Sequence, residues 1–122
     1  MPTVLLSGCA IMKDEKILLI RKKERDFWEL PGGVVDSKEP EEVALEKTQE
    51  QIGTAPEVVQ QFTILEYQKD EKNIEANIFE CDVNPEAEFV PGENIEEIKW
   101  FPVAGLEKEN IGEDVKKILE EI

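Results

Sequence analysis

Two backbone breaks frame the middle of this chain. Pro31-Gly32-Gly33 halts a run that carries Phe27 and Trp28, and Gly53 ends a polar, helix-prone stretch over residues 41–52. Pro and Gly are the strongest punctuation a sequence has, because Pro locks φ and removes a donor while Gly opens the left-handed region. Pro40 suits a first helical turn, Ser37 or Glu39 suits the cap before it, and Gly53 suits the stop after it. A single bracketed helix therefore interrupts a chain that reads as strand on both sides of it.

The flanking runs set the architecture. Residues 3–12 and 16–21 are apolar and joined by polar Lys13-Asp14-Glu15, a hairpin pattern. Val34-Val35 is a short strand after the glycine turn. Residues 57–68 and 73–83 are rich in β-formers and flank Lys69-Asp70-Glu71-Lys72, a second hairpin. Residues 84–94 hold Pro85, Pro91 and Gly92 and read as a loop, followed by a strand over 95–101. Val115, Ile118, Leu119 and Ile122 recur at helical spacing, so an amphipathic helix over 111–122 closes the chain. The order predicts an α+β fold, an α/β/α sandwich with a mixed β-sheet packed between helices. A length of 122 residues predicts one domain spanning 1–122.

Charge narrows the function. Fourteen basic against 29 acidic residues leave a net charge of −15. A partner of duplex nucleic acid needs a basic stripe to neutralise phosphates, and an anionic membrane would be repelled, so neither is expected. No apolar run approaches the ~20 residues that span a bilayer. Residues 1–12 lack the charged start of a secretory leader. Cys9 and Cys81 are far apart and match no metal spacing, so a reduced, cytoplasmic protein is expected. The chain has no histidine, which removes the commonest general base and most zinc sites. Chemistry here must run on carboxylates, lysines or a hard metal.

The acid is unevenly spread. Residues 1–25 carry six basic and three acidic groups, 6 − 3 = +3, and the rest of the chain carries the whole deficit. The knot Arg21-Lys22-Lys23-Glu24-Arg25 is the one place where a small anion would be welcome, and Arg21 and Lys23 are candidate phosphate contacts. Phe27 and Trp28 are candidates for stacking on a base.

Trp28-Glu29-Leu30-Pro31-Gly32-Gly33, followed by Glu39-Pro40-Glu41-Glu42, a helix and Gly53, resembles the Nudix (MutT-like) hydrolases. Their box reads G-x5-E-x7-R-E-U-x-E-E-x-G-U, with U aliphatic. Ile17-Leu18-Leu19-Ile20-Arg21 and Glu97-Ile98-Lys99-Trp100-Phe101 are similar to strands of the same family. The resemblance implies a pyrophosphohydrolase that uses Mg²⁺ or Mn²⁺ on a nucleotide or another diphosphate. It places Gly32 and Gly33 beside Arg21 and Lys23 as substrate-binding candidates. Dimers are common among similar proteins, which makes a homodimer an expectation of the same kind. Metal chemistry on a diphosphate needs hard oxygens on successive helical turns and a base for the attacking water.

This chain departs from that box. Aligned on Gly53, the positions R-E-U-x-E-E are occupied by Glu46-Lys47-Thr48-Gln49-Glu50-Gln51. One of three helix carboxylates survives, and no register repairs the rest. Counting from Gly33 puts Glu39 at the first glutamate, while counting from Gly32 puts Lys38 there. At about 100° per residue, Glu42, Glu46 and Glu50 form one stripe opposite Ala44, Thr48 and Ile52, and the family's metal face falls on Lys47, Glu50 and Gln51. Glu50, Glu46 and Glu39 are therefore the catalytic candidates, with Glu46 and Glu50 as metal ligands and Glu93, Glu96 or Glu97 as a loop base. The expected outcome is hydrolysis that is weak or lost, or a non-catalytic module that binds a nucleotide-like ligand or a protein.

Overall fold

The computed structural model describes residues 2–122; Met1, where the reading of the N-terminal run begins, lies outside the described residues. Strands β1 (Thr3–Lys13) and β2 (Lys16–Lys22) form the first hairpin. Strand β3 (Gly32–Val34) follows the glycine turn, and helix α1 (Pro40–Ile52) follows it. Strands β4 (Glu57–Lys69) and β5 (Lys72–Asp82) form the second hairpin. Strand β6 (Ile95–Pro102), a 3-10 turn at Leu106–Lys108 and helix α2 (Glu113–Leu119) complete the chain.

Both hairpins turn on an Asp-Glu pair with positive φ at each residue: Asp14 51° and Glu15 64°, Asp70 52° and Glu71 61°. Two consecutive left-handed residues are what the right-handed twist of a two-residue hairpin demands. The strands are long enough to hold these residues there without glycine.

β1 is the spine of the sheet. It pairs in parallel with β5 from Thr3↔Asn73 to Ile11↔Cys81. Its other edge divides, pairing with β3 at Leu6↔Val34 through Gly8↔Gly32 and with β2 near the turn at Met12↔Ile17. The strand order is β4-β5-β1-β2-β6. Alternation in β2 explains its continuous apolar run. Ile17 and Leu19 enter the cluster that holds Val115 and Ile118 of α2, whereas Leu18 and Ile20 enter the one that holds Ala44 and Ile52 of α1. A strand covered on both faces reads as unbroken hydrophobe. The two helices lie on opposite faces, which is the expected α/β/α sandwich.

One expectation changes, at both of its ends. The closing helix is shorter than residues 111–122: Val115 and Ile118 are fully buried, but Ile122 lies beyond the helix and is exposed. Ile111 instead bridges to Trp28 and helps hold the segment before the glycine turn. Helical periodicity survives past a helix end because an apolar residue there has no reason to be excluded by sequence alone.

Candidate functional site

The glycine turn is locked from both sides. The Cys9 N–H donates to the Pro31 carbonyl at 3.0 Å, and the Ile20 and Glu29 backbones exchange two hydrogen bonds at 2.9 Å. The Leu30 N–H donates to Asp114 Oδ2 at 2.9 Å, which ties the turn to α2. A Cβ on Gly8 would stand 2.7 Å from the Pro31 carbonyl oxygen, so β1 approaches the turn at a distance only glycine permits. Gly32 has φ 151°, and a Cβ there would overlap the Ser7 carbonyl.

Helix α1 is seated against this turn and the loop after β5. Pro40 is at its first position, Glu39 is the N-cap, and Gly53 closes it with φ 79°. The last carbonyls, which a helix leaves orphaned, are taken by the loop. Val90 N–H donates to Ile52 at 2.9 Å and Gly92 N–H to Gln51 at 3.0 Å. The same loop meets the basic knot through Lys23 N–H to Asn94 O at 2.9 Å. These walls enclose an open cleft of about 1300 Å³.

The cleft carries five cations (Lys22, Lys23, Arg25, Lys38, Lys47) and five carboxylates (Glu24, Asp36, Glu46, Glu50, Glu93). A balanced lining in a chain of net −15 makes this a local relief from negative potential. Its pairs are specific. Lys38 Nζ donates to both oxygens of Glu46, at 2.7 and 2.9 Å. Where the family box has glutamate and then arginine, this chain has lysine and then glutamate, so the two departures compensate each other. Glu46 also holds the Lys38 ammonium in the charged form, raising its pKa. Lys47 Nζ stands 3.6 Å from Glu50 Oε2, a looser pair. The Lys47 stem lies across the turn, and a Cβ on Gly33 would meet its Cγ at 2.8 Å. Lys22 and Arg25 share one carboxylate, Glu29, at 3.2 and 2.9 Å. Among the described residues Lys23 makes no ion pair.

Gln51 does what no carboxylate could do. Its Nε2 donates to the Gly32 carbonyl at 2.9 Å, while its Oε1 accepts from the Gly32 N–H at 2.8 Å. This amide clamps the helix to the turn through a donor and an acceptor at once.

Of the residues singled out by sequence, Glu46, Glu50, Lys23, Gly32 and Gly33 line the cleft together. Glu39 does not: it is the extended N-cap, with φ −65° and ψ 147°, and its side chain makes no cap hydrogen bond. Arg21 is also turned away, its guanidinium engaged by Glu97 at 3.4 Å and by the Arg25 carbonyl at 3.3 Å. A register shift between Arg21 and Lys22 ends the regular pairing with β6. Of the loop glutamates, Glu93 reaches the cleft and Glu97 is occupied by Arg21. Among the described residues no group of three or more His, Cys, Asp or Glu is arranged to hold a metal ion.

A second pocket, of about 300 Å³, opens on the same turn and shares Gly32, Gly33 and Val34 with the cleft. Its walls include Leu30, Tyr67, Ile74 and Ala76. Phe27 stands at its side with Arg25 5.5 Å and Lys69 4.9 Å from the ring centroid. Asp114 lines it as well, a residue the sequence reading passed over. Burial pushes the Asp114 carboxyl up to about 6, against the Leu30 and Val115 N–H groups that hold it down. The signal for Asp114 was only its place at the start of the closing helix. Its partner, Leu30, is 84 residues away in sequence. Tyr67, which lines the same pocket, is raised chiefly by burial and then by the Asp114 charge.

The chain matches the family model described as NUDIX domain over residues 5–122. A MutT-like protein of Streptomyces ambofaciens is 31% identical over 80 residues, which cover 65% of this chain and 51% of that protein. The chain thus spans about half the length of the curated relative it matches. The MutT NUDIX hydrolase from Burkholderia pseudomallei superimposes with a TM-score of 0.86 at 24% identity, over 100% of this chain and 99% of that one. A UDP-X diphosphatase superimposes with a TM-score of 0.83 at 25% identity, over 97% of this chain and 60% of that one.

Proposed function

The chain belongs to the NUDIX domain family, and on that premise we propose that it holds a diphosphate-containing, nucleotide-like small molecule, with phosphoanhydride hydrolysis weak or lost. The observation that supports this reading is the state of three positions on α1, where Lys47 pairs with Glu50 and Gln51 is clamped to Gly32. Mg²⁺ asks for several hard oxygens in near-octahedral array. These three positions offer one carboxylate, with an ammonium 3.6 Å from it. A divalent ion about 4 Å from that ammonium would meet repulsion of about 2 kcal/mol in water-like surroundings and about 8 kcal/mol at a protein surface. The residues do not fit the ion that the resemblance implies.

Ligand binding is the better match. Of the five cations in the cleft, Lys23 makes no ion pair among the described residues and Lys47 is held only loosely by Glu50, which leaves both open to a diphosphate. The adjoining pocket offers Phe27, Tyr67 and aliphatic walls to a flat, less polar group on the same molecule. The test is a panel of nucleoside triphosphates, dinucleoside polyphosphates and nucleotide sugars with Mg²⁺ and with Mn²⁺. It is followed both for turnover and for binding. Saturable binding without turnover is expected.

A second reading is slow hydrolysis with Mg²⁺ or Mn²⁺ held by Glu46 and Glu50. It is favoured by one observation, that both carboxylates line the cleft. Turnover that disappears in Glu50→Gln would establish this reading in place of the first.

A further inference from the structure

Resting on the reading that the cleft takes a diphosphate, we infer that Lys47 stands where the divalent cation would act, so that the anion binds without metal. The three α1 positions that carry carboxylates in the family box would sum to −3. Here Lys47, Glu50 and Gln51 sum to +1 − 1 + 0 = 0. Three carboxylates repel a diphosphate unless a cation bridges the two. With their charge cancelled, the bridge has no purpose and the repulsion is gone.

The geometry makes the lysine usable. Its stem is laid across Gly33, where the missing Cβ leaves room for it. Its ammonium is held only loosely by Glu50, at 3.6 Å and beyond hydrogen-bonding reach. Lys38, by contrast, is fully engaged by both Glu46 oxygens. A phosphate oxygen can therefore take Lys47 from Glu50 with little to break, since exposed pairs of this kind contribute little. On the facing wall Lys23 is unpaired among the described residues and its backbone is anchored to Asn94. An ammonium is a compact point charge with three donors, suited to phosphate without demanding the octahedral shell of Mg²⁺. The amide of Gln51 keeps the Gly32 backbone in place by hydrogen bonds alone, so the turn stays formed with no ion to brace it.

The experiment is calorimetric titration of the full chain with inorganic pyrophosphate, once in EDTA and once in excess Mg²⁺. Binding in EDTA is expected, equal to or tighter than binding in Mg²⁺, because Mg²⁺ neutralises the free anion. Lys47→Ala should weaken the EDTA binding about tenfold, the loss of one charge-assisted contact, while Lys47→Arg retains most of it. Glu50→Gln frees the ammonium and should tighten EDTA binding several-fold, a gain that misfolding cannot imitate. Binding that requires Mg²⁺ would overturn the role of Lys47 while leaving the diphosphate cleft intact. Indifference of the EDTA affinity to Lys47→Ala would overturn it likewise. No pyrophosphate binding in either condition would bring down the diphosphate reading itself.

Discussion

Changing Gln51 to Glu tests whether its amide keeps metal from this site. The native amide gives one hydrogen bond to the Gly32 carbonyl at 2.9 Å and takes one from its N–H at 2.8 Å. A carboxylate keeps the second and cannot make the first, and it sets two acceptor oxygens against each other. The lost bond and the stranded carbonyl cost about 1–3 kcal/mol together. For a chain of this size that is a fall in Tm of about 5–15 °C. Adding Lys47→Glu places three carboxylates together and should lower Tm further in EDTA. Mg²⁺ should then bind the folded double variant and raise its Tm. At a concentration a hundredfold above Kd the gain is about 2.7 kcal/mol. The assay is thermal unfolding of wild type, single and double variants, each in EDTA and in Mg²⁺. Wild type should not respond to Mg²⁺. A Gln51→Glu variant that melts with wild type would refute the clamp. A double variant indifferent to Mg²⁺ would refute the placement of Lys47, Glu50 and Gln51 on the metal face.

Other consequences can be read in the same unfolding experiments. Asp114 is raised from 3.8 to about 6 in the folded chain, so its contribution to stability is full below about pH 4 and is lost as pH rises through about 6. At ~1.36 kcal/mol per pH unit the loss approaches about 3 kcal/mol, and Asp114→Asn should flatten the stability profile between pH 4 and 6. Glu71 sits at φ 61°, and Glu71→Gly should raise stability by about 1 kcal/mol, since a left-handed residue with a Cβ costs about that much. An unchanged midpoint in urea would count against the strain. Gly8→Ala should destabilise by about 1–3 kcal/mol, because its Cβ would press on a backbone carbonyl 2.7 Å away rather than on a mobile side chain. The Gly33→Ala change meets only the flexible Lys47 stem at 2.8 Å. It should spare the urea midpoint while weakening pyrophosphate binding.

Much of this arrangement is legible in the chain itself because its causes are local. The hairpin breaks, Pro40 at the helix start and Gly53 at its end act over a few residues, and each stands where its chemistry predicts. The apolar run of β2 was legible as a strand, and the folded chain covers it on both faces. The charge reversal at Lys38 and Glu46 was visible as two separate departures from a pattern, but not as a pair. The place of Arg21 was hidden for a similar reason. Its sequence neighbours are basic, yet its guanidinium answers to Glu97, which is 76 residues away.

Residue order alone determined the sandwich, the family and the loss of two helix carboxylates, since each follows from periodicity, turn chemistry or identity at a position. Tertiary structure alone decided what their replacements contact. Which lysine a glutamate holds, whether Gln51 reaches the Gly32 backbone, and how Asp114 comes to lie against Leu30 depend on elements that folding brings together from opposite ends of the chain. Hydrogen bonds and ion pairs act over a few ångströms, so no pattern along the sequence can report them until the sheet has set the distances.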